Sequence, residues 1–521
     1  MSAENNNQHN RGITDALLDR VERAGNRLPH PLILFFIMAL FVIIISAVVA
    51  TAGVTVEHPT TGETIEAFNL ISVEGFQRIL TEAVDNFTGF APLGVVLVAM
   101  IGVGVADYGG LITALLKKVI MGTPEKYITS AVVFAGIMSN LASDAGYVVL
   151  VPLGAVIFKA MGRHPIVGLA AAFAGVSGGF SANLLLGTLD PMLAGITEEA
   201  AHIIDPDYFV DPSVNYYFMI VSTFVITMVG TLITERVVAP RFGTYSPEKS
   251  ASEDGGPGAS EEELEDLKPE EKRGLRSAGL WFLVCVGLLI LGTVPEWGIL
   301  RTEAGELIDA ASPFMAGMVP IITLFFIIPG IAYGRKAGTI TSSDDVAEFM
   351  EQAMEDMGAY VALAFAAAQF VEYFSWSNLG EILAIAGADF LEAIGFTGLP
   401  LILVFIIVSG FINLFVGSAS AKWAIMAPVF VPLLMQLGYS PEFAQMAYRI
   451  GDSTTNIITP LLPYFPIIIA FAKKYDEDIE LGTIISTMVP YSVGFMLAWT
   501  VLLIIWFALG LPLGPAGTIY L

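Results

Sequence analysis

Residues 413–460 read NLFVGSASAKWAIMAPVFVPLLMQLGYSPEFAQMAYRIGDSTTNIITP. This apolar region is interrupted by small, polar and charged residues that a simple membrane span avoids. An earlier stretch mirrors it: residues 140–183 read NLASDAGYVVLVPLGAVIFKAMGRHPIVGLAAAFAGVSGGFSAN. The Asn-to-Asn interval is 43 in both, 183 − 140 and 456 − 413. Met161-Gly-Arg-His-Pro165 answers Leu437-Gly-Tyr-Ser-Pro441 at an offset of 276 rather than 273, which implies compensating three-residue slips. Interrupted apolar segments at corresponding places in two halves point to the binding site of a transporter.

The composition sets the solvent. With 55% hydrophobic and 14% charged residues over 521 positions and a mean hydropathy of +0.71, the apolar runs exceed what one soluble core buries. The chain reads as an all-α polytopic membrane protein. Arg11, Arg20, Arg23 and Arg27 precede the first apolar run, 31–53, which starts too deep and runs too long for a cleaved signal peptide. The net charge of −26 excludes a nucleic-acid binder built on a basic face. Cys285 is the one cysteine, so no intramolecular disulfide forms, and it reads as a small packing residue. Histidines at 9, 30, 58, 164 and 202 fall outside the apolar interiors, against haem, an intramembrane zinc site or a buried histidine base.

Lys and Arg orient the spans. Residues 1–31 form a cytoplasmic tail, 32–236 a first half, 237–276 an acidic, flexible cytoplasmic linker, and 277–521 a second half. Nine crossings are predicted, at about 32–52, 91–115, 165–200, 214–235, 277–294, 312–333, 357–375, 441–473 and 483–510. Those at 165–200 and 441–473 read as broken helices. Residues 127–160 are flanked by positive charge at both ends, Lys126 before and Lys159 and Arg163 after, so they read as a re-entrant hairpin from the inner face. By analogy, 398–438 is a second hairpin entering from outside. Of 24 Lys and Arg, this layout puts twenty inside, Arg78 and Arg301 outside, and Lys422 and Arg449 at membrane depth. It is an inverted-repeat architecture with a cytoplasmic N-terminus and a periplasmic C-terminus.

Chemistry concentrates in Tyr448-Arg-Ile-Gly-Asp-Ser-Thr-Thr-Asn456. Arg449 and Asp452 lie three apart, close to one helix face, either as an internal ion pair or as functional charges. The helix is predicted to unwind directly after them, so that Ser453 to Asn456 offer the oxygens a hard cation needs. Asn413 and Asn456 then supply oxygens to a sodium ion balanced by Asp452. Asn140 and Asn183, with Asp144 on the first hairpin tip, form a possible second, symmetry-related site; both asparagine pairs, and Asp144, alternatively cap helix breaks. Asp190, in Gly187-Thr-Leu-Asp-Pro191, binds an ion, carries a proton or caps a helix. The second hairpin tip, Gly417-Ser-Ala-Ser-Ala-Lys-Trp423, combines the hydroxyls of Ser418 and Ser420 with Lys422 and Trp423. It suits an aromatic anion, with Trp423 stacked on the ring and Arg449 holding a carboxylate bidentately; packing alone also accounts for Trp423. Pro460 shapes the break or lines the site.

Ser139-Asn-Leu-Ala-Ser-Asp144, Gly187-Thr-Leu-Asp-Pro191, Gly417 to Trp423 and Tyr448 to Asn456 together closely resemble the p-aminobenzoyl-glutamate transporter (AbgT) family of bacteria, over nearly the whole chain. The resemblance implies an inner-membrane homodimer whose protomers each have nine spans and two hairpins. It also implies Asp190, Ser420, Trp423, Arg449, Asp452 and Pro460 around the substrate and Asn413 and Asp452 at sodium. The family includes exporters of sulfonamide antimetabolites, so direction stays open. A cation-coupled secondary transporter, with sodium or protons as the coupling ion and no other cofactor, is the expectation; a sodium-coupled carrier of aliphatic di- or tricarboxylates is the alternative. Gly175-Val-Ser-Gly178 matches a serine-protease pattern, but no histidine lies in a span to activate Ser177, so intramembrane proteolysis and enzymatic activity are not expected.

Overall fold

The computed structural model describes residues 29–57, 64–142, 146–243, 267–307, 312–459, 462, 464–476, 479 and 481–521. The expectations for the N-terminal tail, most of the linker, Asp144 and Pro460 lie outside the described residues. The chain is mostly helical; the strands among the described residues, Thr55–Glu57 and Thr64–Glu66, pair antiparallel with Thr55 opposite Glu66.

Among the described residues, seven helices are long and apolar enough to cross a bilayer. Counting as one span the pair Ser343–Asp356 and Gly358–Trp376, bent by 44°, makes eight. Pro31–Ala52 shows why such helices need lipid: it begins with Pro at its first turn, and Leu40, Phe41 and Val48 are exposed on its surface. In water that surface would carry a large hydrophobic cost.

One group of helices, Ala91–Tyr108, Pro269–Thr293 and Met318–Ala337, packs together. Glycines allow the close approach: a Cβ on Gly102 would come within 3.0 Å of Thr323 backbone. The other group carries the repeated stretches. Ile128–Met138 and Val151–Ala160 are two short helices, and Pro165–Phe173 follows. Leu399–Asn413, Ala419–Gln436 and Pro441–Asn456 succeed one another in the same order in the second half. The landmark residues repeat in conformation as well as sequence. Gly162 and Gly438 follow the second helix of each pair with φ of +69° and +81°, the left-handed stop that glycine tolerates. His164 and Ser440 then cap helices that begin with Pro165 and Pro441.

The first helix of each pair presses a carbonyl against a glycine of the helix that follows. A Cβ on Gly175 would collide with Val133 O, and one on Gly451 with Ile406 O. These are corresponding positions, 406 − 133 being 273 and 451 − 175 being 276. Gly175, part of the protease-like pattern, is therefore a packing glycine.

The two breaks differ. The first-half helix passes through a wider turn at Ala174–Gly178, leaves helical form after Gly179, and resumes as Leu189–Ala201. The second half is a correction: Pro441–Asn456 stays helical through Asn456, and the break follows, before Phe465–Lys473. Thr454 and Thr455 return their hydroxyls to the carbonyls of Ile450 and Gly451 at 2.7 and 2.8 Å, which keeps that turn closed. All sixteen residues of Pro441–Asn456 are buried, although half are polar or charged.

Candidate functional site

A fully buried polar helix must find partners for its charges on other elements. Arg449 and Asp452 do not pair with each other. Arg449 Nη2 donates to Asp190 Oδ1 at 2.6 Å, across 259 residues of sequence. Asp190 sits in the first turn of Leu189–Ala201, where Gly187 N donates to its Oδ2 at 2.7 Å. That is the anion-favouring end of a helix. Arg449 is 1% exposed, and its Nε and Nη1 have no hydrogen-bond partner among the described residues.

Asp452 instead takes Lys422 as its counter-charge. Lys422 Nζ donates to Asp452 Oδ1 and to Asn413 Oδ1, with Lys422 and Asn413 fully buried. Asn413 is locked in orientation. Its Nδ2 donates to Asp452 O at 2.8 Å, to Thr455 Oγ1 at 2.9 Å and to Asn456 Oδ1 at 2.8 Å, so its Oδ1 can face only the cation. Thr459 Oγ1 donates to Asn413 O at 3.0 Å and closes the junction. The donor set of Asn413 Oδ1 and Asp452 Oδ1 is hard oxygen and suits sodium chemically, and the ammonium of Lys422 stands on it. Asn456 contributes through Asn413 rather than at that point.

Trp423 is fully buried. Its ring stacks on Tyr448 with centroids 4.4 Å apart at 26°, and its Nε1 donates to Thr197 Oγ1 at 2.8 Å. Tyr448 OH donates to Ala419 O at 2.6 Å and Lys422 Nζ lies 5.5 Å from its ring, so Tyr448 braces the start of Ala419–Gln436. Ser418 caps that helix through Ala421 N at 3.4 Å and lies 3.4 Å from the Ser420 hydroxyl. Ser420 also lines a small, almost wholly apolar crevice with Phe90, Ile196, Tyr360 and Ala424. This crevice lies where Ala419–Gln436 meets Leu189–Ala201 and Gly358–Trp376.

The first-half asparagines converge on one carbonyl: Asn140 and Asn183 Nδ2 reach Ile137 O at 3.1 and 3.5 Å. Asn183 Oδ1 accepts from Leu185 N at 3.2 Å, a capping role within the break, while Asn140 Oδ1 is buried without a partner among the described residues. No counter-charge equivalent to Lys422 or Asp452 stands beside them among the described residues, and no cluster of three or more His, Cys, Asp or Glu with metal-holding geometry occurs there. The first-half break touches the buried helix Pro441–Asn456 where Ser181 N donates to Ser453 Oγ at 3.1 Å.

Sequence reasoning missed Thr197, Gln445, Asn215 and Tyr448. Thr197 Oγ1 donates to Gln445 Oε1 at 2.6 Å, and Gln445 Nε2 to Asn215 Oδ1 at 2.9 Å, tying Trp423 to both halves. Thr197 is seven residues after Asp190, on one helix face, which was the available signal. In the segment after Leu189–Ala201, the Tyr208 hydroxyl is shared between the two Glu442 oxygens at 3.1 and 3.0 Å. Burial, then the neighbouring Glu442 carboxylate, pushes the Tyr208 hydroxyl well above its ordinary value.

The model of the AbgT transporter family matches residues 16–521. The chain belongs to the AbgT family. It is 39% identical over 495 residues to the p-aminobenzoyl-glutamate transport protein of Escherichia coli K12, covering 95% of each chain. Among solved AbgT structures it is similar to the YdaH transporter of Alcanivorax borkumensis, at 44% identity and a TM-score of 0.86, over 94% of this chain and all of that one. It is also similar to MtrF of Neisseria gonorrhoeae, of a class of antimetabolite efflux pumps, at 48% identity and a TM-score of 0.89, over 96% of this chain and all of that one. AbgT membership makes this a multi-pass membrane protein of a transporter family.

Proposed function

We propose that this protein is a cation-coupled secondary transporter of p-aminobenzoyl-glutamate-like aromatic carboxylates, or an exporter of sulfonamide antimetabolites, in the bacterial inner membrane. The observation that carries it is Arg449: a buried guanidinium held by Asp190 on one nitrogen, with Nε and Nη1 unpaired. Unpaired buried donors are costly, and a carboxylate placed against them forms charge-assisted bonds. Substrate binding at Arg449, Asp190, Ser418, Ser420, Trp423 and Pro460 sets its carboxylate against the free Arg449 donors. A sodium ion or proton supplies the driving force through Asn413 and Asp452. The similarity to the Escherichia coli protein and to MtrF supports the substrate class.

The architecture that goes with this function has nine crossings and two re-entrant hairpins entering from opposite faces. Ile128–Met138 and Val151–Ala160, of 11 and 10 residues, are too short to cross alone. The N-terminus is cytoplasmic, the C-terminus periplasmic, and the unit a homodimer. The repeated Gly175–Val133 and Gly451–Ile406 contacts support an inverted repeat that moves against the remaining helices.

Proteoliposome transport of p-aminobenzoyl-glutamate and of a sulfonamide, with sodium and pH gradients imposed separately, tests this. Movement of citrate or succinate, with neither aromatic compound moving under either gradient, refutes it in favour of a di- or tricarboxylate carrier.

A further inference from the structure

We infer that Lys422 is a tethered competitor for the coupling cation, so that a sodium ion reaches Asn413 and Asp452 only when Lys422 withdraws. The inference rests on reading those two residues as the cation seat, and it adds the link between that seat and the substrate side of the site.

The geometry sets up an exclusion. The ammonium of Lys422 stands on Asn413 Oδ1 and Asp452 Oδ1, the same two oxygens that a cation would use. The asparagine cannot offer its oxygen elsewhere, because the two N–H groups of its amide face three acceptors on the opposite side. The Asp452 carboxylate balances one positive charge. A second cation beside it, at a point where Lys422 is fully buried and Asp452 1% exposed, would be uncompensated. One monovalent cation displaces the other.

The tether turns displacement into movement. Asn413 ends Leu399–Asn413 and Asp452 lies in Pro441–Asn456, whereas Lys422 is in the first turn of Ala419–Gln436. Ser420 and Trp423 flank Lys422 on that turn, and Tyr448 holds it through Ala419 O. Withdrawal of Lys422 therefore shifts the hydroxyl and the indole nearest the proposed substrate. Cation occupancy and substrate geometry are coupled through one side chain, and the differential contacts required for such coupling are present in this lysine.

The test is sodium binding by the purified full chain in detergent, read as the sodium concentration giving half of the thermal-stability shift, with choline maintaining ionic strength. Lys422→Met is expected to lower that concentration at least tenfold, Lys422→Arg to leave it at or above the wild-type value, and Asp452→Asn to abolish the effect. A second measurement keeps the native lysine: maleimide labelling of Ser418→Cys in a Cys285→Ser background is expected to accelerate with sodium but not choline. If Lys422→Met binds sodium no more tightly than wild type while Asp452→Asn loses binding, Lys422 does not compete, and the inference falls while the cation seat stands. If sodium affects neither wild type nor Lys422→Met, both fall. Should Lys422→Met not yield monodisperse protein, sodium-independent labelling of Ser418→Cys overturns the inference alone.

Discussion

Arg449→Lys isolates what the guanidinium fork contributes. The positive charge is kept, so Asp190 is not left as an uncompensated buried carboxylate. What is lost is the planar array: Arg449 has Nη2 on Asp190 at 2.6 Å and Nε and Nη1 unpaired, whereas lysine presents a point charge that Asp190 alone can occupy. A hydrogen bond to a charged group contributes about 1.5–3 kcal/mol. Loss of one such bond to a substrate carboxylate weakens binding by about 1.5–3 kcal/mol, or roughly ten- to 150-fold. The assay is equilibrium binding of an aromatic carboxylate and of its carboxamide to wild type and Arg449→Lys. The wild-type protein should prefer the acid, and the variant should lose most of that preference. Equal weakening of acid and amide by Arg449→Lys would refute carboxylate recognition at this residue and leave Arg449 as a structural partner of Asp190.

Asp452→Asn leaves the Lys422 ammonium buried without its counter-charge, which should destabilise the protein by about 3–5 kcal/mol. The double variant Lys422→Met/Asp452→Asn should recover most of the loss in a thermal-unfolding comparison. Gly451→Ala and Gly175→Ala each drive a methyl into a facing carbonyl and should cost about 1–3 kcal/mol, with similar drops in transport although only Gly451 adjoins Asp452. Trp423→Phe keeps the stack on Tyr448 and loses the bond to Thr197, so it should cost about 0.5–1.5 kcal/mol, against about 3–5 for Trp423→Ala; denaturation midpoints rank them. In the loop before Tyr216–Ile233, burial raises the Asp211 carboxyl despite bonds from Ser213. A carboxyl with a raised folded value favours the folded state most when protonated, so the wild type should lose stability relative to Asp211→Asn as pH rises above about 4, with no such divergence below it. Melting temperatures of both proteins from pH 3.5 to 8 give that slope.

Much of this protein is legible locally. Gly162 and Gly438 adopt the left-handed conformation that their Met-Gly-Arg-His-Pro and Leu-Gly-Tyr-Ser-Pro settings suggest, since a glycine stop and a proline start need only neighbouring residues. The unwound stretch after Gly179, through Asn183, is also local, because glycine and serine are poor helix formers. The same reasoning failed at Ser453 to Asn456, where packing of Gly451 against Ile406 and hydroxyl bonds within the helix keep a polar turn wound.

The sequence by itself determined where apolar runs are broken and which charges lie at membrane depth, because hydrophobicity and backbone propensity are properties of short segments. The spacing of Arg449 and Asp452 suggested a pair on one helix face. Only the tertiary structure decided that Arg449 pairs with Asp190, 259 residues away, and Asp452 with Lys422, 30 residues away. A buried charge needs a counter-charge at contact distance, and helical spacing supplies candidates without choosing among them. The choice was made by the folded elements that bring Leu189–Ala201 and Ala419–Gln436 against the buried helix Pro441–Asn456.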